Sequence, residues 1–147
     1  MAVRARGTRP RVLSEALRRA RDGAELVLAR EDAPDQTITL TVVRSMRARM
    51  RGYLAAGADR GRDGILLAHT TSVHTAFMRF ALDVVHLSAD GEVLALSRHL
   101  PPWRVGPVAR RTRHIVELPS DRSLAGSLAV GDRLTVAAPT PRPGASA

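Results

Sequence analysis

The feature that most constrains the fold is an apolar run, Leu82–Leu87, that ends shortly before the dipeptide Asp90-Gly91. A second apolar run, 92–96, follows the dipeptide, and Asp-Gly between two such runs is a strong signal for a β-hairpin. We therefore expect an antiparallel sheet around this segment. The first run also carries Asp83, and a carboxylate buried in a strand must be paired, hydrogen-bonded or neutral.

Several other segments have the pattern of short strands or helices. Residues 37–43 alternate Thr with Ile, Leu and Val, which predicts a strand with one buried face. Residues 11–22 place Leu13, Leu17 and Ala20 at helical spacing, so we expect an amphipathic helix with a basic outer face. The further predicted strands are 64–68, 114–118 and 133–137, and the further predicted helices are 45–57 and 120–128.

Many short strands with two or three short helices predict an α+β fold. We expect a mostly antiparallel sheet that is strongly curved or closed into a small β-barrel. At 147 residues the chain allows one compact domain. We divide it into an Arg-rich extension with one helix (1–36), a barrel-like domain (37–138) and a disordered Pro-rich tail (139–147).

Composition excludes several classes of protein. The chain has no Cys, which removes disulfides, thiolate metal sites and thiol nucleophiles. Its basic opening lacks the apolar segment of an export signal, and no apolar run approaches the ~18 residues needed to cross a bilayer. We therefore expect a cytoplasmic protein without a membrane span.

The formal net charge of +9 makes nucleic acid a possible partner, through contacts to phosphate. However, every basic residue is Arg and the chain contains no Lys or Asn, a bias that a GC-rich genome would produce. The arginines are also dispersed along the chain. Arg44, Arg47 and Arg51 could together hold a phosphate or carboxylate, and the alternative is an ordinary solvated face.

From Arg44 to Val136 the sequence resembles a family of uncharacterised bacterial and archaeal proteins, domain of unknown function 192. The resemblance implies a compact, barrel-like α+β domain. No single block is specific, but their order and spacing together carry the assignment. The blocks are 51–54 (RGYL), 64–67 (GILL), 72–75 (SVHT), 77–80 (FMRF), 82–85 (LDVV), 90–93 (DGEV), 102–105 (PWRV), 117–119 (ELP) and 131–134 (GDRL).

The chain departs from the family pattern at four places. Ala81 stands where the family usually has Pro, His86 where Phe is common, and Asp121 where Gly is expected. A Cys that relatives often carry shortly before the Ser-Val-His-Thr block is absent. The fold therefore transfers more readily than any shared site.

One polar constellation could carry acid–base chemistry: His74, Thr75, Asp83 and Glu117, with Arg79 nearby. The alternative, which we favour, is that Asp83 accepts structural hydrogen bonds. No nucleophile motif, phosphate loop or metal-ligand spacing of histidines occurs, so we expect no metal and no cofactor.

The segment Pro101-Pro102-Trp103-Arg104 is the last candidate. It could be an exposed recognition loop, or Trp103 could plug one end of the barrel. We favour the plug, because a domain this poor in aromatic residues gains stability by burying its one large ring.

These observations favour a non-catalytic binding or accessory module, a rigid small barrel that presents loops to a protein partner or small ligand. The candidate binding residues are His74, Arg79, Asp83, Trp103 and Arg104. Two alternatives stay open: a nucleic-acid binder that uses its Arg clusters, and an enzyme that uses an Asp83–His74 acid–base pair.

Overall fold

The computed structural model describes residues 12–44, 63–72, 80–120 and 127–137. Within them, one helix and seven strands are formed. The helix is α1 (Leu13–Arg19). The strands are β1 (Glu25–Arg30), β2 (Ala33–Val43), β3 (Gly64–Ala68), β4 (Leu82–Leu87), β5 (Val93–Leu100), β6 (His114–Pro119) and β7 (Leu134–Val136).

The seven strands form one sheet in the order β5-β4-β6-β3-β2-β1-β7. Every neighbouring pair is antiparallel except β2 and β3, so the prediction of a mostly antiparallel sheet is confirmed. Closure into a barrel is not confirmed, because β5 and β7 are the two edges of the sheet. The predicted helix 45–57 and most of the predicted helix 120–128 lie outside the described residues.

The two edges nevertheless meet at one end. An antiparallel bridge joins Glu92 to Arg133 just before β5 and β7 begin. The Val93 N–H donates to the Asp132 carbonyl at 2.7 Å, and the Leu134 N–H donates to the Gly91 carbonyl at 2.8 Å. The sheet is therefore curved enough to bring its first and last strands into contact at this end.

The Asp90-Gly91 hairpin is confirmed between β4 and β5. Gly91 has a φ of +88°, and a Cβ added to it would lie 2.2 Å from the Leu134 carbonyl oxygen. Only glycine combines this backbone conformation with so close an approach to β7. The turn therefore fixes both the hairpin and the contact between the sheet edges.

Both faces of the central strands are buried, which is why the β4 sequence is almost continuously apolar. One face carries the larger core, in which Val85, Leu87 and Leu118 pack with Leu13 and Leu17 of α1. The opposite face carries a smaller cluster of six buried residues, Val43, Ile65, Leu67, Leu82, Val84 and Ile115.

Helix α1 and strand β1 belong to this core, although both precede residue 37, the predicted start of the barrel-like domain. β1 pairs with β2 from Glu25↔Thr41 onward, and with β7 through Leu28↔Val136. Leu13 and Leu17 are fully buried. Only Glu31 and Asp32 separate β1 from β2, and the Pro-containing residues 33–35 already belong to β2.

Candidate functional site

The topology singles out the connection between β5 and β6. Both strands flank β4 and run antiparallel to it, with Leu100 opposite Leu82 and His114 opposite Leu87. β5 and β6 are thus parallel to each other, so residues 101–113 must return along the whole length of β4. We call this segment the crossover loop.

The buried carboxylate of Asp83 holds the beginning of the crossover loop. Asp83 is only 6% exposed. Its Oδ1 accepts a hydrogen bond from the His99 N–H at 2.8 Å and another from the Ser120 hydroxyl at 2.9 Å. The register between β4 and β5 shifts at this point, since Leu82 pairs with Leu100 but Val84 pairs with Ser97. Asp83 therefore stabilises the irregular end of β5 from which the loop departs.

His86, three residues along β4, holds the other end of the loop. The Thr112 hydroxyl donates to the Ala109 carbonyl at 2.7 Å, so its single proton is used there. The Nδ1–H of His86 must then donate to Thr112 Oγ1, at 3.3 Å. The next residue is held by the same strand, since the Arg113 N–H donates to the Leu87 carbonyl at 2.9 Å.

This hydrogen bonding assigns the protonation of His86. With the proton on Nδ1, Nε2 keeps a lone pair, and that atom is buried with no hydrogen-bond partner among the described residues. Burial lowers the pKa of His86. The ring is therefore neutral at physiological pH and acts as a structural donor.

The middle of the crossover loop presents apolar side chains to solvent. Trp103 is 63% exposed, Val105 78% and Val108 72%. The expectation that Trp103 plugs one end of the sheet is therefore wrong.

The backbone of this region is strained. Among the described residues, four non-glycine residues have a positive φ: His69, His99, Trp103 and Arg111. Three of the four lie in the crossover loop or at its start. Trp103 has a φ of +62°, a conformation that bulky side chains rarely adopt. Such strain persists where the surrounding structure imposes it, and it concentrates at functional sites.

The loop is also strongly basic. Its thirteen residues include Arg104, Arg110, Arg111 and Arg113 and contain no Asp or Glu. All four arginines are exposed. The exposed residues of the loop therefore include an aromatic ring, two valines and four cations.

Asp83 and Glu117 do not lie side by side. In the pairing of β4 with β6, Asp83 is opposite Leu118, whereas Glu117 is opposite Val84. Directly opposed residues share a face and successive residues alternate, so the two carboxylates project to opposite faces of the sheet. Glu117 is fully buried, on the face that also carries His86. The remaining members of the predicted constellation, His74, Thr75 and Arg79, lie outside the described residues.

Arg44 has a structural environment. Its Nε donates to the Ala20 carbonyl at 2.9 Å, and its backbone N–H donates to Asp22. These bonds tie the end of β2 to the segment after α1. Arg47 and Arg51, its proposed companions in anion binding, lie outside the described residues, so this predicted site stays a prediction.

Two histidines, His69 and His114, lie in contact at the end of the crossover loop. The His69 N–H donates to His114 Nδ1 at 3.1 Å, and the two rings contact edge-to-face with centroids 5.2 Å apart. Burial, together with electrostatic interactions with His69, Arg44 and Arg113, lowers the pKa of His114 to about 4. His114 is thus neutral and accepts a hydrogen bond that positions the turn after β3.

The described part of the chain contains a small cavity. A cavity of about 20 Å³ lies between Leu28, Ile38 and Leu128. This is space for roughly one water molecule, whereas ligand pockets span hundreds of Å³. In the same residues no group of three or more His, Asp or Glu could hold a metal ion, and no helix is long and apolar enough to cross a membrane.

Sequence reasoning missed the roles of His86, His99 and Thr112. The signal was present at His86, which stands where the family commonly has Phe. A polar residue in such a strand needs a partner, but nothing local to His86 indicates Thr112, 26 residues further along the chain.

The comparisons with known proteins agree with the resemblance drawn from the sequence. The model of the DUF192 family, described as "Uncharacterized ACR", matches residues 27–136. The UPF0127 protein PF1050 of Pyrococcus furiosus is 46% identical over 63 residues, which are 43% of this chain. The match spans about half, 53%, of that relative.

Two crystal structures are similar in fold. A protein of unknown function from Novosphingobium aromaticivorans has a TM-score of 0.58 and 13% identity, over 76% of this chain and 83% of that one. A protein from Sinorhizobium meliloti, described as a candidate transcription regulator, has a TM-score of 0.61 and 16% identity, over 80% of this chain and 97% of that one. At these identities the similarity establishes the fold alone.

Proposed function

The chain belongs to the DUF192 family, and we propose that it is a non-catalytic binding module whose crossover loop docks onto a protein partner. The observation that carries the proposal is Trp103, which is 63% exposed in a left-handed backbone conformation. Exposing a large ring in a strained conformation lowers the stability of the fold, so the position of Trp103 is not explained by folding. A role in recognition explains it.

The attachment of the loop to β4 supports the same proposal. Asp83 and His86 hold its two ends from a strand that is buried on both faces. A surface fixed in this way loses little conformational entropy on binding, which favours affinity. Trp and Arg, both present in the loop, are also the residues most enriched at the energetic centres of protein interfaces.

The enzyme alternative draws less support from the described residues. Asp83 is nearly sealed from water and already accepts hydrogen bonds from His99 and Ser120. Glu117 projects to the other face of the sheet, so the two carboxylates cannot act on one substrate atom.

A pull-down from the native host tests the proposal. The bait is the full chain, as wild type and as Trp103→Asn, and the lysate is divided into a nuclease-treated half and an untreated half. Asn tolerates the left-handed conformation, so this variant should unfold at the same temperature as the wild type or a higher one. We expect the wild type to retain a protein at near-stoichiometric amounts and the variant to lose it.

Val130→Ala is the matched control, because Val130 is 64% exposed but lies outside the loop. It should retain the partner fully. Retention of the same partner by Trp103→Asn would contradict the proposal. Recovery of nucleic acid alone, with every protein lost after nuclease, would instead favour the nucleic-acid alternative.

A further inference from the structure

We infer that the partner of the crossover loop is a protein segment that combines acidic residues with an apolar pocket or side chain for Trp103. This inference rests on the proposed function and specifies the chemistry of the partner. It follows from the charge, the composition and the fixed geometry of the loop.

Charge complementarity requires an acidic partner. Arg104, Arg110, Arg111 and Arg113 are exposed within one thirteen-residue segment that contains no carboxylate. His114, which follows directly, is neutral and buried. A partner that brought cations to this surface would be repelled by like charges, whereas Asp and Glu would pair with the guanidinium groups.

The apolar residues require more than charge. Trp103, Val105 and Val108 lie among the arginines, and each is more than 60% exposed. Pairing with an acidic surface alone would leave these side chains in water or press them against carboxylates. A partner that also offers apolar contacts buries them and gains free energy from the area removed from water.

The fixed backbone favours a protein over a lipid surface. Both ends of the loop are hydrogen-bonded to β4, and Trp103 and Arg111 adopt left-handed conformations between them. Such preorganisation lowers the entropic cost of binding a partner that fits this one arrangement of side chains. A fluid bilayer would accept a flexible basic loop equally well.

Composition disfavours nucleic acid. Single-strand binding requires several aromatic rings on which bases stack, and the crossover loop carries one. Val105 and Val108 would gain nothing from a phosphate backbone. The same arginines thus fit carboxylates surrounded by apolar groups better than phosphates.

Selection from a library of random twelve-residue peptides tests this inference. The library is applied to the immobilised full chain after subtraction on Trp103→Asn. We expect the enriched peptides to contain several Asp or Glu together with Leu, Ile or Phe. Trp103 is the only Trp in the chain, so its fluorescence reports directly on binding to each synthesised peptide.

The selected peptide should shift the emission of Trp103 to shorter wavelength, and replacing its Glu and Asp by Gln and Asn should weaken binding about tenfold or more. The double variant Arg110→Glu with Arg113→Glu should weaken it at least as much. The matched control, Arg18→Glu with Arg19→Glu on the exposed side of α1, makes the same change in net charge and should leave affinity within about twofold.

Two further probes are measured with the same signal: phosphatidylcholine vesicles with one quarter phosphatidylglycerol, and a twenty-nucleotide single-stranded DNA. A shift with either probe and none with the acidic peptide would overturn the inference. Enrichment of neutral peptides that still require Trp103 would overturn it while leaving the proposed function intact. If neither the selected peptides nor the captured partner required Trp103, both the inference and the proposed function would be wrong.

Discussion

Asp83 and His86 are polar residues in a strand whose six residues are all buried, and each serves as an attachment point for the same loop. The burial of Asp83 was predictable, because a strand of Leu and Val leaves its neighbours little access to water. Its partners were not predictable, since His99 and Ser120 are 16 and 37 residues away. Hydrogen bonds over such separations depend on strand order, which local patterns do not encode.

Removing the Asp83 carboxylate should destabilise the protein. Asp83→Ala leaves the His99 N–H without this acceptor in a left-handed conformation, and we expect the free energy of unfolding to fall by about 2–3 kcal/mol. Asp83→Asn keeps an acceptor oxygen and should lose less than half as much. Urea unfolding followed by circular dichroism measures both values.

Asp35→Ala serves as the control, because Asp35 is an exposed residue of β2. It should change stability by less than about 0.5 kcal/mol. If Asp83→Asn were as damaging as Asp83→Ala, an acceptor at this position would not be the role of Asp83.

At the scale of elements, α1 illustrates what periodicity can and cannot predict. The spacing of Leu13, Leu17 and Ala20 correctly identified the apolar side of the helix. It could not identify what that side packs against, because the same pattern suits this sheet or another chain. The structure places it over the larger core beside β7, which makes residues before 37 part of the folded unit.

Truncation of the helix contact tests this role. Leu17 is only 1% exposed, so Leu17→Ala creates a cavity and should lower the free energy of unfolding by about 2–4 kcal/mol. Arg18→Ala changes the exposed residue next to Leu17, and it should lower the free energy of unfolding by less than about 0.5 kcal/mol. Equal unfolding midpoints for the two variants in urea would show that α1 does not contribute to the core.

At the scale of the molecule, sheet curvature was predictable and the extent of closure was not. The number and length of the strands favour a curved sheet. Whether the edges join depends on a few hydrogen bonds at Gly91, Val93 and Leu134, between segments about forty residues apart. The structure joins them at one end through the Glu92–Arg133 bridge.

The whole molecule should lose stability in acid through its buried histidines. Burial lowers the pKa of both His86 and His114, the latter to about 4, whereas an unfolded His titrates near 6.5. The unfolded state therefore binds more protons as the pH falls below about 6.5, so stability decreases, and the contribution of His114 stops changing below about pH 4. Each histidine adds a slope of up to about 1.4 kcal/mol per pH unit.

Unfolding in urea at pH 7.5, 6.0 and 5.0 measures this slope. His114→Asn provides an acceptor for the His69 N–H but does not titrate. The free energy of unfolding should therefore change less with pH, by up to the contribution of one histidine. Val130→Ala, at an exposed position without a titratable group, should leave the slope as in the wild type. Parallel curves for all three proteins would contradict the assignment of His114.

Because the crossover loop is attached at residues 99 and 112, substitutions have different effects at the attachment points and between them. Substitutions at the anchoring residues on β4 alter the sheet itself, whereas residues 103–111 extend between the anchors. We therefore expect the exposed positions of that interval to accept other side chains without redesign of the domain, in the way that hypervariable loops are carried by an immunoglobulin framework. Grafted sequences would inherit the geometry of the sheet and supply their own specificity.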